Sequence, residues 1–511
     1  MDSGHIAKAM EFAGDVYQYW RPRMLNYLFK PNEKQVLTDQ LEKAKSYEQW
    51  HDIALKLDHS QGNDIWRMDP ASSDYDYKLI AFLVFKLEQL RRKNNITDLM
   101  EVLRSGLIRN MGSIASSELY TSAYSGTKVL IEDYINSVNN VLEYLGGMEP
   151  ENDELLTFFS NARQSYGRTA LILHGGSMFG FCHLGVVKNL LSYQLLPSVI
   201  CGASVGSIVA AFVCSLPPDE IIDAIEKIGD SILPYADLST GGQLGNTSEH
   251  IHKSLFSKEV LMLFEFLTEH LEMLTFEEAY IRSGLVLNIL VLQNGSNSGT
   301  FFNYLTTPKV VIRSAVLASI GSNILPGHYH VKLLFKDYEG RIRTDPQSDN
   351  LFLPANHKTL VPMRDSPYTR LAELFNVNNY IVSVSRPYFA PILLSEFKYR
   401  GQPKLWHRAC ALARISFQYR VGQLADWGII SPQLISFFTD ETIPGGFQVN
   451  IVPEPDSLIR DFLMTFDSAN IAQKVKHWIN LGERSVWPQM SIIWARTKTE
   501  YVLEQLNQKV P

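Results

Sequence analysis

Gly202-Ala203-Ser204-Val205-Gly206 places a serine between two glycines in a G-x-S-x-G pattern. Between a strand and a helix, this pattern holds a hydroxyl on a sharp corner with a helix N-terminus behind it. Gly202 and Gly206 remove side chains from around the nucleophile and let strand and helix close in. A hydroxyl so held is suited to attack an ester or acyl carbonyl, provided that a base takes its proton and N–H groups hold the oxyanion. Upstream, Gly175, Gly176 and Ser177 offer backbone N–H groups at a second helix N-terminus, which makes them candidates for the oxyanion hole. Three fixed positions also arise by chance, and the plain alternative is an α/β core with tight glycine turns. The surrounding pattern favours the chemical reading.

Those turns need elements to hold them. Thr169 to Leu173 is a short apolar run that ends at the first glycine pair. The helix after it carries Phe181, Leu184, Val187, Leu190 and Leu191 on one face. Val199 to Cys201 is a second apolar run, which enters the serine elbow and then another apolar helix. The stretch thus reads as two strand–turn–helix units in tandem. Val199 to Leu216 holds eighteen residues without a charge, near the minimum for a membrane span. It also holds two glycines and three serines, with the elbow in its middle, so no transmembrane helix is expected.

With both glycine turns in view, the region resembles the patatin-like phospholipase/lipase domain. Gly175-Gly176-Ser177-Met178-Phe179-Gly180 matches that family's G-G-G-x-x-G turn, with Ser177 in place of the third glycine. Serine is small and keeps its N–H. The resemblance implies a patatin-like three-layer α/β domain with a mostly parallel central sheet, and a Ser–Asp dyad without histidine, with Ser204 as nucleophile. Residues 46–80 resemble the domain that precedes the patatin domain in fungal and plant triacylglycerol lipases. Trp50, Leu57-Asp58, Gly62-Asn63-Asp64, Trp66 and Asp74 to Tyr77 carry that likeness. Phe447 to Pro453 and Gly482 to Pro488 resemble the closing segments of the same group. The likeness implies hydrolysis of neutral-lipid esters, triacylglycerol above all, with neutral lipid or phospholipid as substrate. It also implies a lipid-droplet or membrane surface as partner, and residence at the droplet surface or the cytoplasmic side of the endoplasmic reticulum.

The base is where the chain departs from the family pattern. The family's dyad aspartate stands in an Asp-Gly pair, and this chain has none. The run that follows the pair in relatives is present from Asp365-Ser366-Pro367 to Asn378, and counting back puts the dyad position on Thr359-Leu360. Asp365 is the nearest candidate proton acceptor, although its plain role is to cap the Thr369–Phe375 helix. Asp337, Asp345 and Asp349 stand behind it. Arg386-Pro387-Tyr388 replaces the family's Asn-Pro-His. Separately, His59 and Asp64 have the spacing of a general-base pair found in some lipid acyltransferases, or match it by chance among 13 histidines and 54 acidic residues. Two other functions therefore stand beside the hydrolase: a lipid-binding or regulatory protein that has lost its dyad, and a lysophospholipid acyltransferase.

The rest of the chain sets bounds. Its 511 residues are enough for two or three domains, and 45% hydrophobic with 20% charged residues describes a globular protein. A net charge of −7 gives no support to a nucleic-acid partner. Cys182, Cys201, Cys214 and Cys410 lack metal-ligand spacing, free buried thiols are expected, and no metal or cofactor is implied. The first residues lack the basic-then-apolar order of a secretory signal. The expected division is a helical accessory domain over 1–165, a patatin-like domain over 166–391 and a helical C-terminal region over 392–511. Expected helices include Asp39 to Leu57, Lys78 to Arg92, Ile96 to Ile108 and Ile114 to Tyr144, with a boundary at Gly146 to Pro150. Val260 to Leu274 is read as a core helix or a lid, and Leu285 to Leu292 as a central strand. The aromatic-rich Met10 to Phe29, with Arg21, Arg23 and Lys30, suits a membrane interface or a docking helix.

Overall fold

The computed structural model describes residues 33–148, 153–175, 177–235, 263–266, 269, 271, 273–292, 299–321, 332–344, 368–384, 446–453 and 471–508, with single positions at 416, 420 and 423. The N-terminal helices are α1 (Glu33–Glu42), α2 (Tyr47–Gln61), α3 (Asn63–Met68), α4 (Tyr77–Arg92), α5 (Ile96–Gly106), α6 (Val129–Gly146) and α7 (Asp153–Tyr166). The central part runs β1 (Arg168–Leu173), α8 (Phe181–Ser192), β2 (Val199–Ala203), α9 (Val205–Ser215) and α10 (Ile221–Ser231). It continues with α11 (Phe276–Ser283), β3 (Val286–Leu292), β4 (Gly299–Phe302), α12 (Ile312–Gly321), β5 (Leu334–Lys336), β6 (Ile342–Thr344), α13 (Tyr368–Phe375) and β7 (Val377–Ser383). β8 (Phe447–Ile451), α14 (Ile471–Val486) and α15 (Met490–Gln508) close the chain.

One six-stranded sheet organises the molecule, in the order β4-β3-β2-β1-β7-β8. Every pairing is parallel except that of β3 with β4. Both faces are buried, which is why β1 and β2 read as unbroken apolar runs rather than alternating ones. Leu171 and Leu173 of β1 face the larger core, whereas Ala170 and Ile172 face a smaller one shared with Tyr368, Leu371 and Phe375 of α13. Helices on both faces of a mostly parallel sheet make the three-layer α/β fold that the sequence implies.

Several boundaries move from their expected places for local reasons. The expected helix from Asp39 to Leu57 is broken, because the Ser46 side chain accepts from the Gln49 N–H and starts α2 afresh. The expected helix from Ile114 to Tyr144 shortens to α6, and two 3-10 turns, at Met111–Ser113 and Ser117–Tyr120, take its first part. Serine and glycine dominate residues 112–126, and Gly112 lies at φ 56°, outside the helical region. Leu285 to Leu292 forms β3 as expected. Of Val260 to Leu274, Leu263, Phe264, Phe266, Leu271 and Leu274 are buried in the larger core, which favours packing over a lid for these residues. Met10 to Phe29 lies outside the described residues.

The C-terminal region is more than helical. β8 adds the outer strand to the sheet beside β7, pairing Ile381 with Val449. α14 lies against α8 at backbone distance. A Cβ on Gly185 would fall 1.9 Å from the Ile479 carbonyl oxygen, and one on Gly482 would fall 2.0 Å from that of Cys182. Glycine at both contact points lets the two helix backbones touch. α15 reaches back to β1. There Glu500 pairs with Arg109 at 3.0 Å and accepts from the Thr169 N–H at 2.7 Å, with both charged residues buried. Arg109 comes from the N-terminal part, so this pair joins three distant segments of chain.

Candidate active site

β2 ends at Ala203 and α9 begins at Val205, so Ser204 occupies the corner alone. Its backbone lies at φ 52°, ψ −122°, a region that non-glycine residues rarely enter. That strain is what the elbow demands: the chain reverses within one residue and leaves the half-buried serine on the outside of the turn. The flanking glycines are explained by contact. A Cβ on Gly202 would fall 2.5 Å from the Gly206 oxygen, and one on Gly206 would fall 2.0 Å from the Leu173 oxygen. Strand, elbow and helix therefore close around β1 with no room for side chains at either place.

The first glycine turn lies directly against the serine. A Cβ on Gly175 would come 3.0 Å from the Ser204 Cβ and 3.5 Å from its Oγ. Gly180, at the end of the Ser177–Gly180 turn, abuts Val205 in the same manner, with a Cβ there only 2.3 Å from Cγ1. The structure thus brings Gly175, the Ser177–Gly180 turn and Ser204 to one corner, above the N-terminal turn of α9. Gly176 lies outside the described residues.

Two polar arrangements hold this corner, and the sequence signals neither. The Ser204 N–H donates to Ser319 Oγ at 2.9 Å, and the Ser319 hydroxyl donates to the Leu290 carbonyl at 2.6 Å. Ser319, from α12, thereby ties the elbow to β3. On the other side, His183 of α8 is fully buried between strand ends. Its Nε2 lies 2.7 Å from the His174 carbonyl, which can only accept, so Nε2 carries the proton. Nδ1 then accepts from the Ser383 hydroxyl at 2.7 Å, and the Ser383 carbonyl accepts from the His174 N–H at 3.1 Å. Burial pushes the His183 pKa down to about 4, partly offset by its bond to His174. A neutral imidazole therefore locks the end of β1, one residue before Gly175, to the end of β7.

The candidate bases fare differently. Asp337 is committed to the β5–β6 turn. Its carboxylate accepts from the Glu339 and Arg341 N–H groups at 2.9 Å each and pairs with Arg343 at 3.0 Å. That makes it a turn residue rather than a proton acceptor for Ser204. Asp345, Asp349, Thr359, Leu360, Asp365 and the Arg386-Pro387-Tyr388 segment lie outside the described residues, as does Cys410. The expected helix after Asp365 is present as α13, and the Tyr368 ring meets His174 edge-on with centroids 6.1 Å apart.

His59 and Asp64 do meet, with Nδ1 2.9 Å from the carboxylate, and the contact holds the Asp64 pKa below the usual carboxylate value. Their side chains are 85% and 43% exposed, at the corner between α2 and α3. The residues beside them are structural. Buried Asp58 accepts from the Tyr124 and Ser125 N–H groups, from the Ser125 hydroxyl and from Asn63, while Gly62 takes φ 72° to end α2. The shared motif thus docks the 124–125 loop. Nearby, the Lys128 ammonium donates to the Trp66 and Asp69 carbonyls at 2.7 Å each. Cys182, Cys201 and Cys214 are buried and take part in no disulfide among the described residues, and burial pushes the Cys214 thiol up.

A strained serine elbow on a parallel sheet, with a glycine turn packed against the serine, defines the α/β class of serine-elbow proteins. Comparison with known sequences narrows this. Residues 171–339 match the patatin-like phospholipase family, and residues 27–164 match a domain of unknown function (DUF3336). Triacylglycerol lipase ptl1 of Schizosaccharomyces pombe is 31% identical over 470 residues, covering 91% of this chain and 84% of its own length. Triacylglycerol lipase 3 of Saccharomyces cerevisiae is 26% identical, covering 96% of this chain and 92% of its own length. Triacylglycerol lipase SDP1L of Arabidopsis thaliana is 29% identical over 90% of this chain and 57% of its own length. The chain belongs to the patatin-like family of these proteins, with the DUF3336 domain ahead of the patatin domain.

Proposed function

We propose that the protein is a serine acyl hydrolase that cleaves the carboxylic esters of neutral lipids, triacylglycerol foremost, at the lipid-droplet surface. The observation that carries this reading is the packing of Gly175 on Ser204, which leaves the nucleophile beside the first glycine turn. The relatives named as triacylglycerol lipases supply the substrate class. In this mechanism Ser204 Oγ attacks the ester carbonyl carbon and its proton passes to a carboxylate. N–H groups of the Gly175–Ser177 turn hold the oxyanion. The diacylglycerol alkoxide leaves with that proton, and water, deprotonated in turn by the carboxylate, releases the fatty acid and restores the serine.

We assign the carboxylate to Asp365. Its closeness in the chain to Tyr368 supports this choice. Asp365 precedes Tyr368 by three residues, a span of at most about 11 Å. The Tyr368 ring packs on His174, the neighbour of the glycine that touches Ser204. The test compares wild type, Ser204→Ala and Asp365→Asn on emulsified triacylglycerol. Hydrolysis lost in both variants is the expected result. Hydrolysis lost only in the serine variant moves the base elsewhere. Equal, negligible activity in all three makes lipid binding without catalysis the better account. Fractionation tests the location, with the protein expected in the floating droplet layer.

A further inference from the structure

α4 shows solvent a face that a helix of a soluble fold usually keeps polar. Ile80 and Leu87 are buried on one side, while Phe82 and Phe85 on the opposite side are 57% and 62% exposed. At about 100° per residue, Lys78, Phe82, Phe85, Lys86, Gln89 and Arg92 share that outward side. The Lys86 ammonium lies 5.9 Å from the centre of the Phe82 ring, so its stem runs beside the aromatic and its charge stays at the rim. Along the helix Lys78, Lys86, Arg91 and Arg92 face a single acid, Glu88, which sits at the shoulder and pairs with Arg92 at 3.6 Å. The chain as a whole carries a net charge of −7. A basic, aromatic helix face on an acidic protein is a local feature with a local partner.

We propose that this face of α4 is the surface on which the protein docks to an anionic phospholipid monolayer, with Phe82 and Phe85 entering the acyl boundary and Lys78, Lys86 and Arg92 meeting the headgroups. The inference rests on the reading of the chain as an interfacial lipase, whose substrate is reached only through such a monolayer. Aromatic rings set among cationic side chains match a surface that is apolar below and negative above. Charge complementarity selects the occupant: an uncharged surface would gain nothing from the basic rim.

The experiment is flotation of the full chain with triolein droplets coated with phosphatidylcholine alone or doped with phosphatidylserine. The wild type should favour the doped droplets, and added salt should erase the preference. Phe82→Ser/Phe85→Ser should lower the bound fraction about tenfold on both coatings, because each loses an inserted ring. Lys78→Glu/Arg92→Glu should abolish the preference for phosphatidylserine while keeping the residual binding. Both double variants alter exposed side chains, so circular dichroism and melting should match the wild type. Ser204→Ala should float like the wild type whether or not it hydrolyses, which separates docking from catalysis. Wild-type flotation of the phenylalanine variant overturns the proposal, as does an undiminished phosphatidylserine preference in the charge-reversed variant. A shift from dimer to monomer in the phenylalanine variant, with flotation intact, would make this face a contact between copies of the chain and equally overturn it.

Discussion

His183 gives the corner a pH dependence of calculable size. Its imidazole is neutral in the fold, giving a proton to the His174 carbonyl and accepting one from the Ser383 hydroxyl. Protonating Nδ1 charges a fully buried ring and turns the Ser383 hydroxyl from donor to acceptor. The folded pKa of about 4 lies below the ordinary value of 6.5, so the proton favours the unfolded chain. The contribution to stability is therefore fully present above pH 6.5 and is lost as pH falls through 4. Linkage between those two values gives about 2 kcal/mol lost from pH 7.5 to pH 5, and about 3 kcal/mol by pH 4. His183→Asn keeps a polar side chain there and removes the titration. Urea unfolding of both proteins across this range cancels every other titrating group they share. The stability advantage of wild type over variant should shrink by about 2 kcal/mol on acidification from pH 7.5 to pH 5. An advantage that stays constant with pH would refute the reasoning, because a ring that is already charged, or accessible to water in the fold, carries no such dependence.

Gly206→Ala should abolish hydrolysis, and lower stability by about 1–3 kcal/mol, because its Cβ falls 2.0 Å from the Leu173 oxygen; ester turnover and a melting curve measure the two effects. Ser319→Ala takes away the acceptor of the Ser204 N–H and the donor to Leu290, so the elbow should loosen at a cost of about 1–3 kcal/mol. Its kcat should fall while far-ultraviolet circular dichroism stays that of wild type. Glu500→Ala leaves the buried Arg109 guanidinium uncompensated and should cost about 3–5 kcal/mol in urea unfolding. Arg109→Ala/Glu500→Ala should cost less than the sum of the single changes, and an additive double variant would show the two side chains to be uncoupled.

The fold was legible wherever a signal was local. β1, β2 and β3 are continuous apolar runs bounded by glycine or polar turns, because a strand buried on both faces needs no alternation. Helices α4 and α5 begin close to the expected residues because Asp76 and Asn95 cap them visibly. β8 was missed for a different reason. Phe447-Gln448-Val449-Asn450-Ile451 alternates apolar and polar residues as an edge strand does, but it lies among helix-like stretches, and nothing near it in sequence names β7 as its partner. Gly185 and Gly482 were equally silent: each sits inside a helix, where its meaning appears only when the other helix backbone arrives.

The site divides along the same line. Ser204, Gly202 and Gly206 were readable because one short stretch of chain makes the elbow, and Gly175 because a glycine pair after a strand marks a tight turn. The residues that hold the corner carry no such mark. Ser319 is one serine in an apolar helix, 115 residues from the N–H it accepts. His183 stands 200 residues from the hydroxyl that completes it. A lone polar residue on an apolar helix reads as tolerated until its partner is seen, and buried polar groups are kept only when they are paired. The elbow itself explains why such partners exist. A backbone at φ 52° is strained, and such strain persists only where surrounding structure over-determines it. Here β1 through Leu173, β3 and α12 through Ser319, and α8 with β7 through His183 each fix one side of the corner. Five elements spread from β1 to β7 thus supply the constraint that the pentapeptide alone cannot.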